Sequence, residues 1–467
     1  MTDLQRKGLS RRGFLGATVG GAALAASPFS LFGTRAALGE HVGDGYGPLQ
    51  PTLDETTGLP LIKLPAGFSY ISYGWTGDPM SDGIPTPSSH DGMAAFRPRD
   101  GKVRLVRNHE KGNGAPFGPA VYDPGAAGGT TNLEFDPIAG QWLSSYASLS
   151  GTIRNCAGGP TLRNSWLSCE ETTRGVGEGR TQLHGYNFEV PADGVSNVVP
   201  LKAMGRFSHE AVAQDVSTGI IYETEDTGDS ALYRFIPNSR QDFAAGGRLE
   251  AMKITTARNM AMFNPVTGSY DTRTGQQIDD VYDVEWVPVA EPDPDLDGGA
   301  PSTRAQAQAL GAALIERGEG AWEKDGLIYF ISTSGGEANE GQVFELDPAD
   351  DRLRLVYESP SAEVLSNPDN ITVSPRGGIL LCEDGGFEGV QRLHGLSPDG
   401  EIFKFAENNV TFAAGSPLAL RYGDTDFRDQ EWCGGCFETR ARRWLFVNIQ
   451  TPGITFAITG PWQSSIL

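Results

Sequence analysis

One unit recurs along the chain and limits what it can fold into: a polar head, a short strand, a Gly/Asp/Arg-type turn, an apolar strand and a polar end. The first copies run from His90-Asp91-Gly92-Met93 to Asn108-His109-Glu110, from Asn155-Cys156-Ala157-Gly158 to Cys169-Glu170-Glu171, and from Ser208-His209-Glu210-Ala211 to Glu223-Thr224-Glu225-Asp226. Three more run from Gly318-Glu319-Gly320-Ala321 to Ile331-Ser332-Thr333, from Pro368-Asp369-Asn370-Ile371 to Cys382-Glu383-Asp384, and from Glu431-Trp432-Cys433-Gly434 to Asn448-Ile449-Gln450. Their second strands begin at 105, 166, 221, 328, 380 and 445, in steps of 61, 55, 107, 52 and 65. Propeller blades repeat at about 40–50 residues, so these steps predict blades with loops added. The long step holds a Pro/Asp-rich stretch, Glu291-Pro292-Asp293-Pro294-Asp295, and then an Ala/Gln-rich one. It reads as an insertion with a short helix near 289–316. The expected fold is all-β: a six-bladed β-propeller with a small helical insertion, forming a single domain over 38–467. A seventh, degenerate blade near Tyr282–Val287 is the alternative.

The pattern has chemical meaning. A hairpin returns the chain to the end of the sheet where it began. In a propeller the inner strands of all blades converge on one channel. The heads are Asp91, Cys156, Glu210, Glu319, Asp369/Asn370 and Glu431, and the tails include Glu110, Glu170/Glu171, Glu225/Asp226 and Glu383/Asp384. Many carboxylates and one thiol are thus expected at one mouth. Like charges so crowded repel, and bare carboxylates would take up protons. Bound cations are the economical solution. Carboxylate oxygens suit calcium and other hard ions, whereas a thiolate calls for a transition metal. A single acid at a strand end usually caps a turn; recurrence is what marks these. Neighbours in a strand face opposite sides, so one of each acidic pair points to the axis, and Glu171 is favoured over Glu170. The metal-binding candidates are Cys156, Glu171, Glu210, Glu225, Glu319, Glu110, Asp91, Glu383 and Glu431.

Cys156 stands at a head position and is followed by Ala157-Gly158-Gly159, small residues that let a ligand approach the backbone. Cys169 and Cys382 sit within apolar strands and read as packed core thiols. Cys433-x-x-Cys436 lacks a second Cys/His pair, so it reads as a local disulfide or two free thiols rather than a structural zinc site. Arg317 opens Arg317-Gly318-Glu319-Gly320, beside a head. A guanidinium there suits an anion held between it and the cations, since Arg binds phosphate bidentately. A salt bridge to neighbouring acids is the other reading. His109 and His209 both precede Glu and could be ligands, proton carriers or hydrogen-bonded core residues.

The remaining composition narrows the classes. Of 467 residues, 59 are acidic and 37 basic, a net charge of −22, which argues against a nucleic-acid binder. No Gly-x-Ser-x-Gly elbow, His-Glu-x-x-His helix or Walker loop occurs. Ser10-Arg11-Arg12-Gly13-Phe14-Leu15 and the mild apolar run through Ala26 resemble a twin-arginine export signal over residues 1–37. That run is too short for a permanent span, and no other stretch approaches about 18 apolar residues. The expectation is a bacterial periplasmic or secreted protein, delivered by the twin-arginine export machinery, without a stable membrane anchor, and a monomer.

In Asn155–Thr161, Trp166–Thr172, Arg206–Ala211, Tyr222–Asp226, Arg317–Trp322, Asp369–Gly385 and Leu445–Trp462 the chain resembles the PhoX family of exported alkaline phosphatases. The likeness covers almost the whole chain. It implies a six-bladed propeller, an iron pair with calcium ions at the channel, and hydrolysis of a small-molecule phosphate ester. It further implies that Cys156 is an iron ligand, that Glu171, Glu225 or Glu210, and Glu319 bind metal, and that Arg317 contacts phosphate. Cys156 and Arg317 are the residues expected to carry the reaction. Two other classes stay open: a calcium-dependent propeller hydrolase such as a lactonase or phosphotriesterase-like enzyme, and a non-catalytic metal-binding propeller.

Overall fold

In a computed structural model of the protein the described residues are 45–96, 98–256, 262–265, 268–397, 400–438 and 443–467. The expected export signal, residues 1–37, lies outside them. The hairpins form where apolar runs meet turn residues. Leu327–Ser332 is buried at all but its first position, as a strand covered on both faces must be. It follows Gly318–Lys324 across Asp325-Gly326, both left-handed (φ 54° and 88°), the two-residue turn that matches hairpin twist.

Six such hairpins supply the inner strands of six blades. Blade one is His90–Phe96, Val103–His109, Gly128–Asp136 and Gln141–Thr152; blade two is Asn155–Pro160, Ser165–Glu170 and Asn187–Pro191. Blade three is His209–Gln214, Ile221–Glu225, Tyr233–Pro237 and Gly247–Thr256; blade four is Gly318–Lys324, Leu327–Ser332, Gln342–Asp347 and Arg352–Glu358. Blade five is Pro368–Val373, Ile379–Glu383, Arg392–Leu396 and Ile402–Asn408, extended outward by Ile62–Pro65 and Leu49–Thr52. Blade six takes Trp432–Phe437, Leu445–Ile449 and Ile454–Thr459 from the chain's end and Ser69–Tyr73 from near its beginning. Each inner strand packs against the next, and the sixth against the first, so the ring is closed.

The stretch considered for a seventh blade is one strand, Val281–Pro288. It pairs with the outer strands of blades three and four and joins them into a nine-stranded sheet. The segment after it holds the short helix Thr303–Gln308.

The inner strands close in at a waist of small residues that includes Gly92, Ala157, Ala211, Gly320 and Gly434, around a cavity of about 20 Å³. A Cβ on Gly92 would stand 2.6 Å from the Ala157 Cα, and one on Gly320 2.6 Å from the Asp369 carbonyl oxygen. Below the waist Trp322 packs against three apolar clusters of the interior. A cavity of about 380 Å³, lined by Thr161, Gln214, Trp322, Lys324, Val373 and Phe437, opens at that lower end.

Candidate metal centre

Five heads share one register. Asp91, Cys156, Glu210, Glu319 and Asp369 are each the second residue of an inner strand, and Cys433 holds that place in blade six. The sequence pattern set Glu431 there instead; Glu431 precedes the strand. In blades one to five the pairing slips right after the strand's first residue, and in blade six one residue later. In four blades the residue before the strand is left-handed: Ser89, Arg154, Arg317 and Asn367, with φ between 43° and 54°. Each costs on the order of 1 kcal/mol for a residue with a Cβ. The slip and the turned residue together break the ordinary course of the strand where the chemistry-bearing side chain stands.

Among the described residues three groups bring ligand atoms within 4.8 Å of one another: Cys156, Glu171 and Glu210; Glu210, Glu319 and Asp369; and Asp91, Glu431 and Cys433. Asp91, Glu210 and Glu319 are fully buried or nearly so. Neither oxygen of Glu210 has a hydrogen-bond partner, nor does Asp91 Oδ2. Two bare carboxylates this close repel by about 3–4 kcal/mol at an effective dielectric near 20. Burial first, and neighbouring acids second, push Asp91, Glu210, Glu319 and Glu431 well above the ordinary carboxylate range. Burial likewise raises Asp369 to about 7, and Glu171 to about 8 despite Arg154. The Cys156 thiol is raised by burial, with Asp91 and Glu210 adding to it.

Two guanidiniums stand at the rim. Arg317 donates through Nε to Asp226 (2.9 Å) and through Nη2 to Glu319 (2.6 Å). Arg154 pairs with Glu171 and, at 3.0 Å, with Glu110. Glu110 also accepts from Gln450 (3.0 Å), and it stands outside the three groups.

Two candidates are not brought to the others. Glu225 accepts from the Tyr233 hydroxyl (2.7 Å) and Arg304 (2.8 Å). Glu383 accepts from Arg392 Nε and Nη2 (2.7 and 2.6 Å) and from the Ser366 N–H (2.8 Å). Both are already engaged, Glu225 by blade three and the insertion helix, Glu383 by blade five and the segment leading into it. Their neighbours face the mouth instead: Asp226 binds Arg317, and Asp384 feels Glu431 and Arg317. The same division holds in blade two. Glu170 accepts from the Ile153, Gly185 and Tyr186 N–H groups and pairs with His184 (2.7 Å), while Glu171 joins Cys156. His109 and His209 are also spoken for. His109 is held by the Ser88 carbonyl and Thr131, and His209 by the Gly205 carbonyl, with Glu223 at 3.3 Å.

The donors present suit ions. Oxygen ligands on one calcium lie up to about 5 Å apart, the reach of the Glu210, Glu319 and Asp369 group. The thiol of Cys156 beside two carboxylates suits a transition metal. The unpartnered oxygens of Glu210, shared by both groups, are the buried valence such ions would satisfy. Reasoning from sequence passed over Cys433 and gave Arg154 no role. Aligning the repeats on the strand's second residue finds the first, and the parallel of Arg154-Asn155-Cys156 with Arg317-Gly318-Glu319 finds the second.

A family model for the alkaline phosphatase PhoX matches residues 44–148 and 137–453. The chain belongs to the PhoX alkaline phosphatase family. It is a phosphatase, and PhoX phosphatases depend on metals, in keeping with the ligand groups at the mouth. Among solved structures it is similar to Pseudomonas fluorescens PhoX in complex with vanadate, a transition state analogue. The TM-score is 0.62 at 16% identity, covering 90% of this chain and 98% of that one, a likeness of fold. Similarity to a Xanthomonas campestris gluconolactonase reaches a TM-score of only 0.35 at 13% identity, over 77% of this chain and 90% of that one, too loose to bear on the fold. No curated protein sequence matches significantly. Membership of PhoX does not favour the lactonase-type or non-catalytic alternatives.

Proposed function

We propose that the chain is an exported phosphomonoesterase that holds iron and calcium at the channel mouth and releases inorganic phosphate from organic phosphate esters. The observation that carries this reading is the buried Glu210 carboxylate, both oxygens unpartnered, standing between a thiol-bearing and an all-carboxylate group. Cys156, Glu171 and Glu210 would hold iron, and Glu210, Glu319 and Asp369 calcium. When bound, these ions supply the positive charge an anionic ester needs in an acidic protein and polarise its phosphoryl oxygens.

Arg317 does the binding that belongs to the chain. Asp226 and Glu319 fix its guanidinium from one side and leave Nη1 for a phosphoryl oxygen. Arg154, fixed in the same way by Glu110 and Glu171, offers a second cation at the rim. Water attacks phosphorus, the ester P–O bond breaks, and the alcohol leaves with a proton. Arg317 gains most as charge spreads over the phosphoryl oxygens.

Delivery to the periplasm or outside by the twin-arginine route is part of the proposal. It rests on Ser10–Leu15 and the apolar run after it. No helix of the described residues is long and apolar enough to cross a membrane. A monomer without a stable membrane anchor completes the reading. The direct test is exhaustive chelation with EDTA, followed by an assay on an aryl phosphate with elemental analysis alongside. Activity should vanish with the metals; activity that survives in metal-free protein rejects the reading.

A further inference from the structure

We infer that Cys433, with Asp91 and Glu431, forms a second thiol-bearing metal site on the blade-six side of the mouth, one that takes a divalent transition metal. The inference rests on the reading of the mouth as a metal centre. Cys433 is the second residue of its inner strand, as Cys156 is of blade two. Blade one, with Asp91, packs between those two blades. The mouth therefore carries two thiols, on either side of one aspartate.

Cys433 Sγ and a carboxylate oxygen from each of Asp91 and Glu431 lie within 4.8 Å of one another. Ligands on one tetrahedral zinc-like ion stand at about 2.0–2.3 Å from it, hence about 3.3–3.8 Å apart, so side-chain rotations drawing the three atoms together by about 1 Å close the site. Asp91 is fully buried; its Oδ1 accepts from the Gly92 N–H (2.7 Å), and Oδ2 has no partner. The Cys433 thiol, also fully buried, donates to the His90 carbonyl (3.0 Å). Metal binding replaces that proton, which leaves to solvent as the thiolate forms. One sulfur beside two carboxylates favours a borderline transition metal over calcium. Cys436 is the built-in control. It lies three residues on, is buried, is not bridged to Cys433, and belongs to none of the three groups.

The test is titration of the metal-stripped full chain with cobalt(II), following the thiolate-to-cobalt charge-transfer band in the near ultraviolet. Cys433→Ser should remove roughly half of the band at saturation, Cys156→Ser the other half, and both together all of it. Cys436→Ser should leave it unchanged. A band that keeps its full intensity in Cys433→Ser overturns the inference. Loss of the whole band in Cys433→Ser with no change in Cys156→Ser supports it and instead removes Cys156 from the centre. A wild-type chain with no such band overturns both. Should Cys433→Ser not fold, Glu431→Gln is read: half of the band should move to roughly tenfold or more higher cobalt, and an unmoved titration overturns the inference.

Discussion

Three second strands end in two adjacent carboxylates, and the two members of each pair fare oppositely. Glu170, Glu225 and Glu383 turn away from the mouth and are answered by His184, by Arg304 of the insertion helix and by Arg392. Burial alone would raise Glu383, but His394 and Arg392 outweigh it and hold the group below its usual range. Glu171, Asp226 and Asp384 turn to the mouth, where the other acids crowd and cations are few. Both sets are equally a product of strand alternation. The fold thus spends one acid of each pair on contacts within the body of the protein and turns the other to the mouth, where Arg154 and Arg317 answer only part of the crowded charge.

The comparison breaks most visibly at Glu383. Glu383→Gln strands the buried Arg392 guanidinium and should cost about 3–5 kcal/mol, read as a lower melting temperature. Metal content per folded molecule should stay unchanged; loss of metal would put Glu383 back at the mouth. Arg317→Ala should lower kcat by roughly 10²–10³-fold with the fold intact, and Arg317→Lys should recover part of it. Unchanged turnover would leave Arg317 a rim salt bridge only. At Glu210 the sign reverses. In metal-free protein Glu210→Gln should stabilise, by about 1–3 kcal/mol, because a repelling group is gone. With metals present the same change should weaken binding and lower stability, and thermal melts with and without metal separate the two cases.

The smallest effect is a pH slope. Folding pushes Glu171 up to about 8 and Asp369 to about 7, so in metal-free protein the unfolded chain ionises them first as pH rises. Stability from keeping them protonated is complete below about pH 4 and lost by pH 8. The melting temperature of metal-free protein should fall across that window, and bound metal should flatten the slope. A metal-free melting temperature that rises instead would mean the mouth carboxylates are already satisfied.

Much of this was legible in the sequence. The repeat of head, strand, turn, strand and tail survives because every blade must return its chain to the same rim, so Asp91, Cys156, Glu210 and Glu319 could be found by position. Parity could not. The pairing slip beside each head moves the register by one, and nothing in Glu225-Asp226 or Glu383-Asp384 shows which member lies inward. Cys433 was hidden by its neighbour Glu431, an acid one would expect at a head. Val281–Pro288 has the composition of a blade strand, yet it bridges two finished blades at their outer edges. Ser69–Tyr73 carries no mark of the partner it meets so far along the chain.

That last pairing has a consequence for how the molecule is made. Tyr73 lies opposite Thr455 and Ser69 opposite Thr459, so the ring is fastened by two segments far apart in sequence. Drawing ends so distant together costs on the order of 5 kcal/mol in chain entropy. During synthesis, five blades can gather while the clasp still waits for Ile454–Thr459 to emerge. The circle therefore closes only after the blades it joins have been made.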